Sequence, residues 1–459
     1  MSPAQPQSMA GAARAPGPNL KDMLLRDASP PPPAFLEESY EFLGDADVPY
    51  SHYTSTEYAK AEFDRMWPKV WQMACREEQI PETGDYQVYD IGDQSAIVTR
   101  TESGTIKAFY NACMHRGTAL KEADSAGYCA SFRCPFHGWI YSLDGELIEL
   151  PEDWDFPHVN SKSHGLREIR VDTWAGFVFI NFDDDAAPLT DFLGVLPRHF
   201  ADFGIAERYI ETHVRKRLPV NWKAAEEAFM EAYHVKETHA GGQEFSEVTT
   251  QYDVFADNVN RFIHTVGSPN PRRPVALTEQ ELMQELWGRR SLESDPCPEL
   301  PEGMTARDCY AKHVQSMLGA EYQQDFSDYS TSQTLDSIEY FLFPNLFIFP
   351  GLALPMVYRF RPDPKDPDFS WFDLYMLRPK QPGTPAPACP EPIILDVEDS
   401  YTVAEGLGRL GAIYDQDTGN MAAQTRGFKS NAKSGQTLGN YQEVRARHLH
   451  QRIEDYLNG

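Results

Sequence analysis

Two short segments that each carry one cysteine and one histidine constrain this chain more than any other feature. They read CMHRG from Cys113 and CPFHGW from Cys134, and 18 residues separate His115 from Cys134. Each segment lies at the end of a β-type run and contains a glycine. Loops on a rigid β scaffold can bring two such pairs to one metal centre. The sequence therefore predicts a small β domain built around Cys113, His115, Cys134 and His137.

Two kinds of metal centre use this set of side chains. A structural zinc ion takes them in a tetrahedron, whereas a Rieske [2Fe–2S] cluster holds one iron by two thiolates and the other by two imidazoles. Zinc sites usually pair their cysteines within one loop. Here each loop supplies one cysteine and one histidine, which favours the cluster. The alternative is two packed cysteines beside unrelated histidines, and the repeated pair with its glycine argues against it.

The composition excludes several classes of protein. A chain of 459 residues with 41% apolar and 24% charged residues is typical of a globular protein. The net charge of −28 repels phosphates and anionic lipids, which argues against nucleic acid binding and against a basic membrane anchor. No apolar run is long enough to span a bilayer. Seven cysteines and an N-terminus without a signal-peptide pattern predict a reducing, cytoplasmic setting.

Patterns along the chain divide it into four segments. Residues 1–34 are rich in alanine and proline and predict a disordered arm. Residues 35–71 show helical spacing and predict a helical segment that packs on the larger, C-terminal domain. Residues 72–185 alternate β-type runs with turns such as Asp144–Gly145, which predicts an antiparallel β domain. Residues 186–459 predict an α+β domain with helices around an antiparallel sheet.

Finer predictions concern that larger domain. Helices are predicted over 189–203, 221–240 and 396–427, and strands over 338–349, 355–361 and 370–378. The strand 338–349 is rich in aromatic residues, which we interpret as core more readily than as a binding surface.

A second group of metal-binding side chains lies between Asn221 and His239. This segment carries His234, His239 and several carboxylates, which are the raw material of a two-histidine, one-carboxylate iron site. In a regular helix the two histidines would lie about 140° apart and could not share a metal. We therefore predict a local distortion between them, either a π-turn or a helix end near Lys236. The alternative is a surface helix whose histidines and glutamates are solvated.

Both groups resemble motifs of one family. CMHRG and CPFHGW resemble the Rieske motif of the ring-hydroxylating non-haem iron oxygenases, and the resemblance covers about residues 40–430. It implies that Cys113 and Cys134 bind one iron of the cluster and that His115 and His137 bind the other. The Asn-Trp-Lys and Glu-x-x-His-x₄-His pattern of 221–239 resembles the family's second iron motif. That likeness implies that His234 and His239 bind a mononuclear Fe²⁺.

The sequence departs from the family pattern at two acidic positions. Glu231 stands where aspartate is common, and Glu227 stands where asparagine is common. The first position is the carboxylate that connects a cluster histidine of one subunit to an iron histidine of the next. The resemblance therefore implies that Glu231 bridges His137 and His234. A glutamate at this position also occurs in members that act on quaternary ammonium compounds.

The third iron ligand is expected far downstream. The candidate carboxylates are Asp399, Glu405, Asp415 and Asp417. The segment Asp417-Thr-Gly-Asn-Met resembles the family's late ligand motif, so we assign Asp417, with Asp415 as the alternative. Phe229 and Met230 adjoin the iron helix and are candidates for the substrate cavity.

The resemblance implies the large (α) subunit of a Rieske oxygenase, with a small β domain and a larger catalytic domain of the helix-grip type. Such a component uses dioxygen and electrons from a ferredoxin or flavin reductase to dihydroxylate, monooxygenate or demethylate an aromatic or similar small organic compound. It forms a homotrimer, with or without a small β subunit. The rival functions are an electron-transfer protein that carries only the cluster and a zinc-stabilised binding protein.

Overall fold

The strands and helices are numbered separately below, in chain order. The computed structural model describes residues 11–15, 17–239, 250–268, 275–290, 296–430 and 432–459. The chain divides into two units. The larger comprises the chain up to Ser55 with Leu193–Arg361 and Pro367–Glu454, and the smaller comprises Thr56–Phe192, Pro362–Asp366 and Asp455–Gly459.

The smaller unit is built on antiparallel strands, as the turn-rich sequence predicts. Its main sheet has the order β1-β10-β9-β4-β3-β2-β5, and β6-β7-β8 form a second, short sheet. The strands are β1 Gln72–Arg76, β2 Asp85–Ile91, β3 Gln94–Arg100, β4 Ile106–Tyr110, β5 Ala126–Tyr128, β6 Phe132–Arg133, β7 Ile140–Tyr141, β8 Leu147–Glu149, β9 Glu168–Trp174 and β10 Phe177–Asn181.

The short sheet contains a turn that the sequence predicted. The predicted turn at Asp144–Gly145 joins β7 to β8, and Ser142 N donates to the carbonyl of Glu146 across it at 2.8 Å. One Cys/His segment follows β4 and the other lies between β6 and β7. The core beneath them contains Phe109, Phe132 and Trp139. Both segments therefore start from packed strands of one unit.

The larger unit is an α+β domain, so the predicted fold class is confirmed. Its described strands form one sheet in the order β12-β13-β14-β15-β16-β17-β11-β18, antiparallel except where β18 runs parallel to β11. The strands are β11 Arg208–Leu218, β12 Thr250–Phe255, β13 Val259–His264, β14 Ser337–Leu342, β15 Leu346–Ile348, β16 Met356–Pro362, β17 Ser370–Pro379 and β18 Ile393–Leu395.

The helices of the two units are described together in chain order. The short pair Val48–Pro49 and Gly435–Gln436 forms a separate two-stranded ladder. The described α-helices are α1 Leu20–Leu24, α2 Ser51–Thr54, α3 Thr56–Ala61, α4 Leu189–Leu193, α5 Leu196–His199, α6 Trp222–Glu227, α7 Val235–Thr238, α8 Glu279–Arg290, α9 Ala306–Tyr322, α10 Thr331–Leu335, α11 Leu410–Thr418, α12 Met421–Phe428 and α13 Val444–Asn458.

The predicted strand 338–349 is a hairpin. It divides into β14 and β15, and Phe341 lies opposite Phe347 in the ladder between them. Pro344 and Asn345 form the turn, since proline provides no donor for a continuing ladder. Phe341, Phe343, Leu346, Phe347 and Phe349 are all buried, as expected of core residues.

The three predicted long helices are all interrupted. The segment 189–203 divides into α4 and α5 at Gly194, and 221–240 divides into α6 and α7, with residue 240 outside the described residues. The segment 396–427 contains two 3₁₀ turns before α11 and α12. Apolar spacing alone does not report these interruptions, because neighbouring short helices keep the same periodicity.

The prediction of a disordered arm over 1–34 is wrong for its second half. Leu20 and Leu24 of α1 are buried. Asp27 pairs with Arg307 at 2.9 Å, and the backbone N–H of Ala28 donates to Asp308 at 3.0 Å. Two leucines one helical turn apart are enough to hold this stretch, although alanine and proline dominate its composition. Residues 1–10 and 16 lie outside the described residues.

The predicted segment 35–71 does not pack as one piece on the larger unit. Its first part does, since the backbone N–H of Ser39 donates to Asp253 at 2.8 Å. Residues 56–71 belong to the smaller unit. There Asn181 donates to the carbonyl of Lys69 at 3.1 Å, and Trp71 Nε1 donates to Ala187 at 2.8 Å. Aromatic side chains at helical spacing did not reveal which core they enter.

Among the described residues, no helix combines the length and apolar character needed to cross a bilayer.

Two buried histidines of the larger unit are expected to lower the stability of the folded protein in acid. Burial, with nearby arginines adding to it, lowers the pKa of His199 and of His448 from 6.5 to about 4. Below pH 6.5 the unfolded chain therefore binds protons that the folded chain does not. We expect the free energy of unfolding to rise with pH from about 4 to about 6.5 and then to level off, as measured by urea unfolding. Replacing both residues by glutamine should make that rise less steep, and an unchanged slope would contradict the assignment.

Candidate metal centres

The two Cys/His loops of the smaller unit have the same backbone closure. Gly117 N donates to the carbonyl of Cys113 at 2.9 Å, and Gly138 N donates to that of Cys134 at 3.1 Å. Both glycines have φ of +78°, which strains any residue with a Cβ. The N–H of each cysteine in turn donates to a carbonyl five residues later, at 2.9 and 2.8 Å. The glycines noted in the sequence therefore close two matching loops.

The four side chains of these loops are graded from buried to exposed. Cys113 and Cys134 are buried, whereas His115 is half-buried and His137 is exposed. The two imidazole rings lie 4.6 Å apart between centroids. His115 Nδ1 is buried and has no hydrogen-bond partner among the described residues. Two inner thiols and two outer imidazoles fit a cluster whose cysteine-bound iron is inside and whose histidine-bound iron faces outward.

Aromatic side chains hold this arrangement. The indole of Trp139 stacks on the ring of His115 at 4.9 Å and 5°. The hydroxyl of Tyr141 accepts from the backbone N–H of Met114 at 3.0 Å and lies 3.3 Å from the sulfur of Cys113. Burial raises the pKa of the Cys113 thiol, and the hydrogen bond from Tyr141 opposes that rise. Neither aromatic residue was singled out from the sequence, although Trp139 lies within the CPFHGW segment.

In the larger unit, the distortion expected between His234 and His239 is present as a helix end. Asn221 caps α6 by accepting from the N–H of Lys223 at 3.1 Å. The chain leaves α6 after Glu227, and α7 begins at Val235 with His234 as its N-cap. This second helix ends at Thr238, so His239 has an extended backbone, with φ −97° and ψ 122°. The ring centroids of His234 and His239 are 5.4 Å apart as a result.

Both imidazoles point their Nε2 atoms at one carboxylate, from α11. Asp417 Oδ1 lies 3.5 Å from His234 Nε2 and 3.1 Å from His239 Nε2. One donor atom from each residue lies within 4.8 Å of the other two. Asp417 Oδ1 is buried and has no hydrogen bond of good geometry to any described residue. Two imidazole nitrogens and one carboxylate oxygen with this convergence fit an Fe²⁺ ion.

The remaining ring nitrogens are held by other side chains. His234 Nδ1 lies 2.8 Å from Glu231 Oε1, and the backbone N–H of His234 donates to Glu231 Oε2 at 2.9 Å. His239 Nδ1 lies 2.9 Å from Gln416 Oε1. Such partners fix the tautomer that leaves Nε2 free for a metal. Gln416 was missed in the sequence, where its position beside Asp417 was the available signal.

Charge balance at this site also favours a cation. Burial lowers the pKa of His234, but the carboxylates of Asp417 and Glu231 outweigh burial and raise it to about 10. Burial raises the pKa of Asp417, but His234 and His239 outweigh burial and hold it below its ordinary value. The metal-free site therefore keeps a proton between its carboxylates. A metal ion that binds the two imidazoles would displace that proton.

The structure separates the candidate carboxylates. Asp415 accepts from the hydroxyl of Ser400 at 2.5 Å and from the N–H of Tyr401 at 3.0 Å, away from the two histidines. Asp399 accepts from the backbone N–H of Asp396 at 2.8 Å. Asp417 is the candidate that joins His234 and His239 among the described residues.

The loop that carries Glu231 is held on both sides. Arg445 Nη1 donates to the carbonyl of Met230 at 3.0 Å and pairs with Glu339 at 2.6 Å. On the other side, the backbone N–H of Ala232 donates to the hydroxyl of Tyr252 at 3.0 Å. Arg445, Glu339 and Tyr252 are buried. They position a segment that has no regular helical hydrogen bonds of its own.

We expect a large loss of stability when one partner of the buried Arg445–Glu339 ion pair is removed. Arg445→Met leaves Glu339 buried without its cation, which costs about 3–5 kcal/mol in such pairs. Urea unfolding measures the loss. The double variant with Glu339→Leu removes the unpaired charge and should recover most of it. A single variant as stable as the wild type would contradict this role for Arg445.

A cavity of about 500 Å³ opens beside the triad. His234 and Asp417 line it, and its other described lining residues include neither lysine nor arginine. Phe229 and Met230 are absent from that lining. Phe229 instead packs 5.4 Å from the ring of Tyr358 within a buried aromatic cluster. The carboxylates in the cavity wall are Glu227, Glu231, Asp417 and Glu443.

Two family models match the parts of the chain that contain the two candidate sites. The model of the ring-hydroxylating alpha subunit catalytic domain matches residues 204–459, more than half of the chain. The chain belongs to this family. The Rieske [2Fe–2S] domain model matches residues 70–160. The matched domains are those that carry the cluster and the mononuclear iron in ring-hydroxylating oxygenases.

Individual relatives match in part. The chain is 34% identical over 197 residues to biphenyl 2,3-dioxygenase subunit alpha of Rhodococcus jostii (strain RHA1), covering 41% of this chain and 43% of that protein. It is 31% identical over 200 residues to the glycine betaine monooxygenase oxygenase subunit of Chromohalobacter salexigens, covering 43% and 44%. These matches span about half of the relatives' length.

Solved structures share the fold. A naphthalene 1,2-dioxygenase from Rhodococcus sp., bound to indole, has a TM-score of 0.61 at 21% identity, covering 90% of this chain and 94% of that one. The quaternary ammonium Rieske monooxygenase CntA, in complex with L-carnitine, has a TM-score of 0.62 at 17% identity, covering 92% and 100%.

Proposed function

We propose that this chain is the terminal oxygenase component of a multicomponent Rieske oxygenase. The observation that carries the proposal is the convergence of His234 Nε2, His239 Nε2 and Asp417 Oδ1 in the larger unit, in a chain whose smaller unit holds the paired Cys/His loops. An electron carrier needs no such triad. The proposed reaction dihydroxylates, monooxygenates or demethylates an aromatic or similar small organic compound.

Different residues are proposed to hold the cluster and the mononuclear iron. We propose that Cys113, Cys134, His115 and His137 hold the cluster and that His234, His239 and Asp417 hold the iron. When bound, these groups supply single electrons and a site for dioxygen reduction. Glu231 and Gln416 hold the Nδ1 protons of the two iron histidines, so that both Nε2 atoms stay unprotonated toward the metal.

Glu231 is also our candidate for the entry point of electrons. It lines the cavity, and His137 is exposed on the smaller unit. We propose that His137 of one copy meets Glu231 of another, which requires a head-to-tail ring, most simply a trimer. A ferredoxin or flavin reductase would supply the electrons, with or without a small β subunit. Light scattering that finds a fully active monomer would contradict this arrangement.

A second substrate class has its own support. Four carboxylates line the cavity without a lysine or arginine among its described residues, and Glu231 replaces the commoner aspartate. Such a wall favours a cation over an anion. We therefore propose quaternary ammonium compounds as the alternative to aromatic substrates. Dioxygen uptake with indole and with glycine betaine as trial substrates compares the two classes.

The metal content tests the proposal most directly. Anaerobically purified protein should contain about three irons and about two acid-labile sulfides per chain. About two irons with two sulfides, unchanged after Fe²⁺ is added back, would leave an electron-transfer protein. Zinc without sulfide would leave a zinc-stabilised binding protein. We propose a reducing, cytoplasmic setting, and none of the seven cysteines, all of them described, forms a disulfide.

A further inference from the structure

A series of buried polar side chains leads away from the cavity beside the triad and begins at Glu227. Glu227 Oε1 lies 2.6 Å from His450 Nε2 of α13. The hydroxyl of Tyr53 lies 2.8 Å from each of these two atoms. Gln436 donates to the other oxygen, Glu227 Oε2, at 2.8 Å. Both oxygens of this carboxylate are therefore held by side chains from three distant parts of the larger unit.

The chain of groups continues from His450 to the surface. The ring of His52 lies 5.6 Å from that of His450 between centroids, and because His450 Nδ1 has no hydrogen-bond partner among the described residues, one water is needed to bridge the gap. His52 Nε2 lies 3.5 Å from Glu454 Oε1. The side chains of Glu227 and His450 are 7% and 6% exposed, that of His52 is 14% exposed and that of Glu454 is 41% exposed. Exposure thus rises along the chain from the cavity outward.

Each group on this route can both take and give a proton. His450 uses Nε2 toward Glu227, while its Nδ1 is buried without a hydrogen-bond partner among the described residues. Burial lowers the pKa of His52 to about 4, and His450 and Lys223 add to this, while Glu454 and Glu227 oppose it. His52 is therefore neutral at pH 7 and has one donor and one acceptor nitrogen. The hydroxyl of Tyr53 can donate to either Glu227 or His450.

The proposed reaction consumes protons at the cavity. Monooxygenation of R–H takes up dioxygen, two electrons and two protons and yields R–OH and water. Dihydroxylation of a double bond takes up dioxygen, two electrons and two protons and yields a diol. The electrons come from the external donor of the proposed function, so two protons must reach a buried site in each turnover. The stability of the fold does not require these buried polar side chains, because a protein in which apolar side chains of similar volume replace such groups is often equally stable.

We infer that Glu454, His52, His450 and Glu227 form a proton relay that supplies the cavity from solvent. A proton enters at Glu454, moves through the two imidazoles and leaves from Glu227. Each passage leaves both imidazoles in the opposite tautomer, and rotation of the rings restores the starting tautomers before the next proton enters. This inference rests on the proposed function. It also gives a role to Glu227, which departs from the asparagine that is common at this position.

The first test needs no bound iron. Histidine ¹⁵N NMR of the metal-free protein measures the pKa of His52 in the wild type and in His450→Gln. Because His450 lowers that pKa, we expect it to rise in the variant. His313→Gln replaces a histidine of α9 outside the relay and should leave it unchanged. An unchanged pKa in His450→Gln would show that the two imidazoles are not connected and would overturn the relay.

The second test follows proton delivery in the iron-loaded enzyme. Reduced wild-type, Glu227→Gln and His450→Gln proteins are mixed with dioxygen in H₂O and in D₂O, with the better of indole and glycine betaine present. We expect dioxygen uptake to fall by about 100-fold in both variants, the range of lost proton transfer. The solvent isotope effect should grow, because the proton then limits the rate. Iron content, cluster spectrum and His313→Gln activity should match the wild type.

The outcomes separate the relay from the proposed function. Wild-type uptake in either variant, or slower uptake with an unchanged isotope effect, would overturn the relay and leave the oxygenase assignment intact. A wild-type protein that binds no mononuclear iron would overturn the oxygenase assignment itself, and the relay with it.

Discussion

Asp417→Ala is expected to remove the mononuclear iron and the oxygenase activity while the cluster stays in place. Asp417 supplies the one oxygen donor of the triad, and two imidazoles alone hold Fe²⁺ poorly. Activity should fall by more than about 100-fold, the upper end for changes in residues that only support a metal ligand. Dioxygen uptake, iron analysis and the visible spectrum of the cluster measure the three effects separately.

Asp415→Ala is the matched control, two residues away on the same helix. Asp415 accepts from Ser400 and from the backbone N–H of Tyr401, so its loss should cost about 1 kcal/mol of stability and leave the iron in place. An active, iron-containing Asp417→Ala protein would show that another carboxylate completes the site. Iron loss in Asp415→Ala alone would exchange the two assignments.

Glu231→Gln is expected to slow turnover by about 10–100-fold while the iron is retained. Its carboxylate accepts from both the ring Nδ1 and the backbone N–H of His234. A glutamine has one acceptor oxygen, so one of these donors would face the amide NH₂. The substitution also removes the charge proposed to meet His137 of another copy. Dioxygen uptake and the rate of cluster reoxidation, both per bound iron, measure the effect.

Glu237→Gln provides the control for loss of a nearby charge, since Glu237 lies on the following helix α7 and is exposed. It should match the wild type in both rates. If Glu231→Gln also matches the wild type, the electron route does not pass through this carboxylate. If it loses its iron, Glu231 acts mainly by orienting His234, and the two readouts distinguish these cases.

The end of α7 between His234 and His239 illustrates a feature that the sequence predicted in kind. Four residues separate His234 from His239, and helical geometry alone shows that a regular helix cannot bring them together. The choice between a π-turn and a helix end depends on what holds the backbone outside the helix. Gln416 and Asp417 of α11 contact His239 there, 177 and 178 positions further along the chain, so no local pattern could report it.

The prediction of a disordered arm over residues 1–34 was wrong for the second half of that segment because it relied on composition alone. Composition described residues 1–34 by their alanines and prolines, but burial is decided by single contacts such as that of Asp27 with Arg307, 280 residues away. The aromatic strand 338–349 was correctly interpreted as core and wrongly interpreted as one strand. Alternation reports which side chains face a core, and it continues unchanged through a tight hairpin.

The sequence by itself predicted the two Cys/His loops, the two histidines proposed to bind iron and the α+β class. These depend on spacing within a few residues and on glycines that only certain turns require, so short segments contain the whole signal. The tertiary structure alone decided between Asp415 and Asp417 and added Gln416 as the partner of His239. It also joined Glu227 to His450, 223 residues later. Such pairs form only when the sheet and α13 bring distant segments together, because side-chain contact depends on the packed position of each element rather than on its local pattern.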